Sequence, residues 1–194
     1  MFPKKRAMIY TETAIAGVWL IEPKVFADAR GYFMEAFKET DFEAHVGKIR
    51  FGQDNESSST FGVLRGLHYQ LEPYAQSKLV RVIQGKVFDV AVDIRKGSPT
   101  FGKYVAVELS GDNKRQLFIP KGFAHGFYVM SETVLFTYKV DNPYMPSHER
   151  CIRFDDPTID VDWRILSFDT LVTSEKDRAA PLLVDADNNF ELND

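Results

Sequence analysis

An all-β fold, an antiparallel jelly-roll sandwich or barrel with a few short helices, is what the 194-residue sequence predicts. Three observations predict it. β-Branched and aromatic residues recur in roughly ten short alternating runs, turn-forming Gly, Pro, Asn and Asp interrupt those runs, and no strand–helix–strand alternation exists to build a parallel sheet. Length supports one domain over residues 1–194, because a typical domain holds roughly 150 residues and no linker, repeat or low-complexity tract divides the chain. A hydrophobic fraction of 44% is enough for a core and excludes bulk disorder.

Along the chain, the alternation predicts strands over residues 8–12, 18–22, 32–37, 63–70, 78–84, 86–94, 104–109, 116–119, 126–130 and 133–140. Residues 78–94 read as the clearest hairpin: Leu79, Arg81 and Ile83 alternate with Val80 and Val82, and Gln84-Gly85 supplies the turn. The second strand of that pair, Val87-Phe88-Asp89-Val90-Ala91-Val92, is apolar on both faces and so belongs inside a two-layer structure. Helix signals are short. Thr40-Asp41-Phe42-Glu43 reads as a capping box opening a helix that stops near Gly47, and Ser174-Glu175-Lys176-Asp177 reads as a similar start. The acidic, Asn-bearing tail, residues 185–194, is expected to fray.

A net charge of −4 gives no electrostatic footprint for nucleic acid or an anionic membrane, although a local basic cluster could hold a small phosphate. The single cysteine, Cys151, has no disulfide or thiolate partner and reads as an ordinary strand residue. Lys4, Lys5 and Arg6 are followed by Tyr10, Thr11 and Glu12 rather than by a sustained apolar run, so no signal peptide is expected. No apolar segment is long enough to span a membrane. The expectation is a cytoplasmic protein without membrane or nucleic-acid partners.

Polar side chains set inside apolar strands carry the chemistry, because burying them is costly unless something pairs with them. They occur in residues 63–70 (Arg65, His68), 88–93 (Asp89, Asp93), 119–126 (Lys121, His125) and 136–139 (Tyr138, Lys139). Pro120-x-Gly122-x-x-His125 resembles the second motif of cupins. The first cupin motif departs: His68 is followed by Tyr69 and Gln70 instead of a second histidine and a carboxylate. His45 and His148 are poorly placed, so a three-histidine metal site is not expected and the reading is a metal-free cupin.

The ordered set of motifs resembles the dTDP-4-dehydrorhamnose 3,5-epimerase family across nearly the whole chain. It comprises Glu22-Pro23-Lys24-Val25-Phe26, Asp28-x-Arg30-Gly31-Tyr32-Phe33-x-Glu35, Gln53-Asp54-Asn55-x-Ser57, residues 64–70, Ser77-Lys78-Leu79-Val80-Arg81, residues 88–93, Asn113-Lys114-Arg115-Gln116-Leu117, residues 120–126, Tyr138-Lys139 and Ser174-x-Lys176-Asp177. The resemblance implies a cofactor-free epimerisation of a dTDP-linked 4-keto-6-deoxy sugar. His68 is then the base that removes a proton alpha to the ketone, Asp177 its orienting carboxylate, Lys78 the cation at the enolate oxygen and Tyr138 the acid on the opposite face. It also implies that Arg65 and Arg30 meet the diphosphate, that Glu35, Gln53 and Asn55 serve the nucleotide, that His125 serves the sugar, and that Glu149 and Lys176 form the rim. Family members are homodimers whose N-terminal strands cross to the partner, carrying Arg30 and Glu35 into the neighbouring site.

Read without the resemblance, each residue has a plainer role. His68 and Tyr138 fit core positions, Lys78 a solubilising strand end, Arg30 and Arg115 surface charge, and Asp177 a helix N-terminus that needs no chemistry. Other functions also remain open: a single-carbon epimerase, a non-catalytic jelly roll that binds a nucleotide or glycan, or a metal-dependent cupin. Arg65 and His68 pose a further question of geometry. Three positions apart, they face opposite ways on a regular strand, and only a bulge at Gly66 turns both inward.

Overall fold

A computed structural model describes residues 8–165 and 167–192, which leaves Lys4, Lys5 and Arg6 outside the described residues. In chain order its strands are β1 Ile9–Glu12, β2 Trp19–Glu22, β3 Val25–Asp28, β4 Gly31–Met34, β5 Gln53–Thr60, β6 Leu64–Gln70, β7 Lys78–Gln84, β8 Lys86–Asp93, β9 Tyr104–Ser110, β10 Gln116–Ile119, β11 Phe123–Val129, β12 Thr133–Val140 and β13 Glu149–Cys151. Helix α1 spans Glu39–His45 and α2 spans Glu175–Arg178. Two antiparallel sheets, ordered β1-β2-β10-β7-β12-β5 and β13-β6-β11-β8-β9, face each other as a jelly-roll sandwich.

Alternation along these strands sorts the apolar side chains into separate cores. Val80, Val82, Leu117 and Phe136 of one sheet meet Val87, Ala91, Phe123 and Phe127 of the other between the layers. The opposite face of the five-stranded sheet, with Leu64, Leu67, Phe88, Val90 and Tyr128, is covered by Ile152, Phe154, Trp163, Leu183 and Phe190 from the C-terminal segment. That cover is why β8 is apolar on both faces. Phe42 of α1 closes a third cluster over Ile21, Leu79 and Phe118. Each such Leu or Phe, fully buried, is worth roughly 1.5–3 kcal/mol of transfer free energy.

Several expectations need correction. β7 and β8 are not a hairpin: β7 pairs with β10 and β12, whereas β8 pairs with β11 and β9, so the chain crosses between sheets at Gly85. Gly85 has φ +83, and a Cβ there would lie 2.1 Å from the Thr133 carbonyl oxygen, so the corner requires glycine. Strand β5, Gln-Asp-Asn-Glu-Ser-Ser-Ser-Thr, has no apolar alternation to announce it, and β3 and β13 are too short to stand out. The strand expected over residues 32–37 is instead β4, paired with β3 through Val25↔Met34 to Asp28↔Gly31. Helix α1 begins at Glu39 with Lys38 as its N-cap and no side-chain cap, so Thr40 does not cap it.

The tail is packed rather than frayed through residue 192. Asn188 is buried and donates to the Ile94 carbonyl, Phe190 joins the core, and the Leu192 amide donates to the Lys96 carbonyl at 2.8 Å. N-terminal β1 and β2 join this chain's own six-stranded sheet, and among the described residues β3 and β4 pair with each other alone. The two-stranded ribbon β3–β4 leaves Phe26, Tyr32 and Phe33 exposed.

Candidate active site

Strand β6 contains the bulge that the spacing of Arg65 and His68 demands. His125 stands opposite His68 and Phe127 opposite Arg65, so Gly126 alone faces both Gly66 and Leu67. The extra residue restores parity. Leu64 and Leu67 pack into the outer core while Arg65 and His68 line a cleft of about 370 Å³. Gly66 has φ +131, and a Cβ on it would lie 2.5 Å from Gly126 Cα, so the two backbones approach in a way that only glycine allows. The Gly66–Leu67 peptide is cis.

Within the cleft, His68 Nε2 lies 2.7 Å from Asp177 Oδ1. Burial opposes the Asp177 charge, but the hydrogen bond and charge of His68, the Ser174 hydroxyl and the Gly66 amide outweigh it and hold the carboxyl below its ordinary range. An ionised carboxylate only accepts, so Nε2–H donates, and in the neutral imidazole Nδ1 is the basic nitrogen. Ser174, not Asp177, caps α2, accepting from the Asp177 amide at 3.0 Å. The Asp177 side chain is thereby free to turn inward, where it is 3% exposed. Cys151 of β13, directly opposite His68, completes a cluster whose nitrogen, sulfur and oxygen atoms lie within 4.8 Å of one another.

Glu149 and Lys176 also line this cleft and form an ion pair, with Tyr144 donating its hydroxyl to Glu149 at 2.7 Å. Arg65 donates through Nε and Nη2 to the Ser59 hydroxyl at 3.2 and 3.1 Å. Lys78 is buried on β7 and donates to the His68 carbonyl at 3.5 Å. Burial pulls its ammonium down to about 8, against support from the Asp89 and Glu149 charges. His125 lies opposite His68 and donates to the fully buried Asp89, Nε2 to Oδ2 being 3.0 Å. Burial outweighs the Asp89 charge and lowers the His125 imidazole below its ordinary value. Asp93 belongs to a different network, with Arg95, Ser98 and Thr100.

Tyr138 comes from the facing sheet, packed on the inner core and opposite Asn55 of β5. Burial raises its phenol, and the charge of Arg65 only partly offsets this, so the hydroxyl stays protonated through neutral pH. Gln53 donates to the Asn55 carbonyl oxygen at 2.8 Å, which fixes both amides on one face of β5. Arg30 and Glu35 are not part of the cleft. Arg30 sits at the turn of the β3–β4 ribbon, 89% exposed and paired with Asp28, and Glu35 follows β4 in an exposed position.

Asp89, Ser59, Tyr144 and Cys151 are the neighbours of these side chains that sequence reading left without a definite role, whereas Ser174 was read as a helix start and caps α2. Only Asp89 carried a signal, a carboxylate in an apolar run. A larger cavity of about 620 Å³ opens along β5, β7 and β12, lined by Asp54, Arg81, Gln116 and Lys139 and also by Asn55 and Tyr138, which do not line the smaller cleft. Its lining has no histidine, whereas His68 lines the smaller cleft.

Comparison with known proteins gives the family. A family model described as dTDP-4-dehydrorhamnose 3,5-epimerase matches residues 12–185. The dTDP-4-dehydrorhamnose 3,5-epimerase of Shigella flexneri is 56% identical over 177 residues, covering 91% of this chain and 96% of that protein. The Legionella pneumophila dTDP-6-deoxy-D-glucose-3,5-epimerase, solved with dTDP-4-keto-L-rhamnose, is 51% identical with a TM-score of 0.89, covering 93% of this chain and 95% of that one. A 3′-monoepimerase from Streptomyces bikiniensis, solved with dTDP-quinovose, is 29% identical with a TM-score of 0.84, covering 89% and 87%.

Proposed function

The chain belongs to the dTDP-4-dehydrorhamnose 3,5-epimerase family and is an isomerase; from that premise we propose how its residues invert carbons 3 and 5 of dTDP-4-dehydro-6-deoxy-D-glucose. The product is dTDP-4-dehydro-L-rhamnose, on the route to dTDP-L-rhamnose. Greater identity to 3,5-epimerases than to the monoepimerase supports inversion at both carbons.

The observation that carries the reading is the 2.7 Å pair of His68 and Asp177 on one inner face, with a protonated Tyr138 on the other. His68 Nδ1 removes the proton alpha to the 4-keto group, and Asp177 stabilises the imidazolium that forms. Lys78 supplies the cation for the enolate oxygen, and Tyr138 returns a proton to the opposite face. Arg65 binds the diphosphate, Gln53 and Asn55 the nucleotide, His125 the sugar, and Glu149 and Lys176 the rim of the cleft. Each step moves a proton or steadies a charge with a side chain already in place, so the mechanism uses no cofactor.

Arg30 and Glu35 act in the partner's cleft of a homodimer. The ribbon that carries them exposes Phe33 to 67% and Tyr32 to 55%, an apolar face that a second copy would cover. No described helix is long and apolar enough to cross a membrane. With the small-molecule substrate and acidic net charge, this favours the cytoplasm and no nucleic-acid partner.

Tyr138→Phe separates removal of the proton from its delivery. In deuterated buffer the variant should exchange deuterium into unchanged substrate while forming less than about a tenth of the epimer made by the parent, as proton NMR at carbons 3 and 5 would report. An exchange-to-inversion ratio equal to the parent's overturns the two-face assignment.

A further inference from the structure

We propose that Cys151 is a positioning residue for the base: its thiol donates to the same Asp177 oxygen that His68 engages, holding that oxygen in place. The proposal rests on the reading of His68 and Asp177 as the proton-abstracting pair. Cys151 lies opposite His68 in the β13–β6 register, with Sγ 3.7 Å from Asp177 Oδ1. The alternative acceptor, its neighbour's Ile152 carbonyl at 3.5 Å, already receives the Leu67 amide at 3.0 Å. The anionic Oδ1 is therefore the stronger claimant for the thiol hydrogen.

Burial, reinforced by the Asp177 charge and hydrogen bond, raises the thiol well above its ordinary value, so the sulfur keeps its hydrogen as a donor. Cys151 and Asp177 are 7% and 3% exposed, so water does not compete for that oxygen. A thiol bond is weak in water. Beside a desolvated carboxylate it restrains Oδ1, which would otherwise swing with α2 each time His68 gains or loses a proton. Cys151 does not line the cleft that holds His68 and Asp177, so its contribution belongs to kcat rather than KM.

The test compares Cys151→Ala, Cys151→Val and Cys151→Ser in the full-length enzyme, with rates per active site counted by dTDP titration and Tm measured in parallel. Alanine and valine should each lower kcat by about tenfold with KM within about twofold, while serine, which keeps a donor, should stay within about threefold of the parent. Valine fills the space that alanine empties, so agreement between them removes packing as the cause. The low-field imidazole N–H resonance of His68 should persist in the serine variant and broaden or shift in the other two. Parent-like kcat in alanine and valine, an equal loss in serine, or a loss confined to KM each overturns the proposal. His68→Ala serves as the separate control: if it turns over normally, the base assignment itself fails.

Discussion

At the scale of single residues, Lys78 places two requirements in opposition. Burial brings its ammonium from 10.5 to about 8, a difference of roughly 3 kcal/mol that the fold bears wherever the charge is kept. Below pH about 8 folded and unfolded chains are both protonated, and the full cost applies. Between about 8 and 10.5 the folded chain has released its proton while the unfolded chain has not, so the Lys78 contribution to stability rises with pH. On the proposed mechanism catalysis runs the other way, because the enolate oxygen needs the cation. The expected result is a kcat that falls as pH rises through about 8, and a Lys78→Met variant that melts higher at pH 7 yet loses about 100-fold or more in kcat. A Tm at or below the parent's would mean that burial of the charge costs nothing measurable. Of these residues, His68 and Tyr138 stood out as polar groups in apolar strands, but their roles, like those of Lys78 and Asp177, came from the family resemblance, since spacing alone read Lys78 as a strand end and Asp177 as part of a helix start, where Ser174 does the capping.

At the scale of elements, the sequence spoke clearly where alternation meets a core and poorly where a strand faces a pocket. Strand β5 was missed because its inward residues, Gln53, Asn55, Ser57 and Ser59, are all polar, so the apolar alternation that announces a strand is absent. The β7–β8 hairpin was misread because alternation reports which face is buried, not which strand lies alongside; pairing is decided at the corner, by Gly85. The Gly66 bulge, by contrast, followed from counting, since Arg65 and His68 cannot share a face without it. Gly66→Ala should force β6 from β11, lowering stability by about 3 kcal/mol or more and abolishing turnover. Gly52→Ala, where an added Cβ meets nothing within 4 Å, should leave both nearly unchanged in the same melts and assays. Equal stability in the two variants would show that the strands can part there at no cost.

At the scale of the whole molecule, the proposed homodimer completes each cleft with the partner's ribbon, the one that carries Arg30 and Glu35. Mixing Arg30→Ala chains with His68→Ala chains and letting them re-equilibrate should restore about a quarter of parental activity, since half the dimers are hybrid and each hybrid has one intact site. No recovery in a verified hybrid would mean that each cleft is built within a single chain. The C-terminal segment was read as a loose end because its acidic composition hides the few residues, Asn188 and Phe190, that lock it to the sheet. Its lateness in the chain has a consequence for synthesis. His68 leaves the ribosome 109 residues before Asp177, an interval of roughly 5–20 s at ordinary elongation rates. Throughout that interval the growing chain holds a histidine without its carboxylate, and the strands of the five-stranded sheet emerge before the segment from Ile152 to Phe190 that covers their outer face. On the proposed mechanism proton chemistry therefore waits for Asp177, and a chain terminated before the covering segment is both inactive and sticky, a substrate for quality control rather than a partial enzyme.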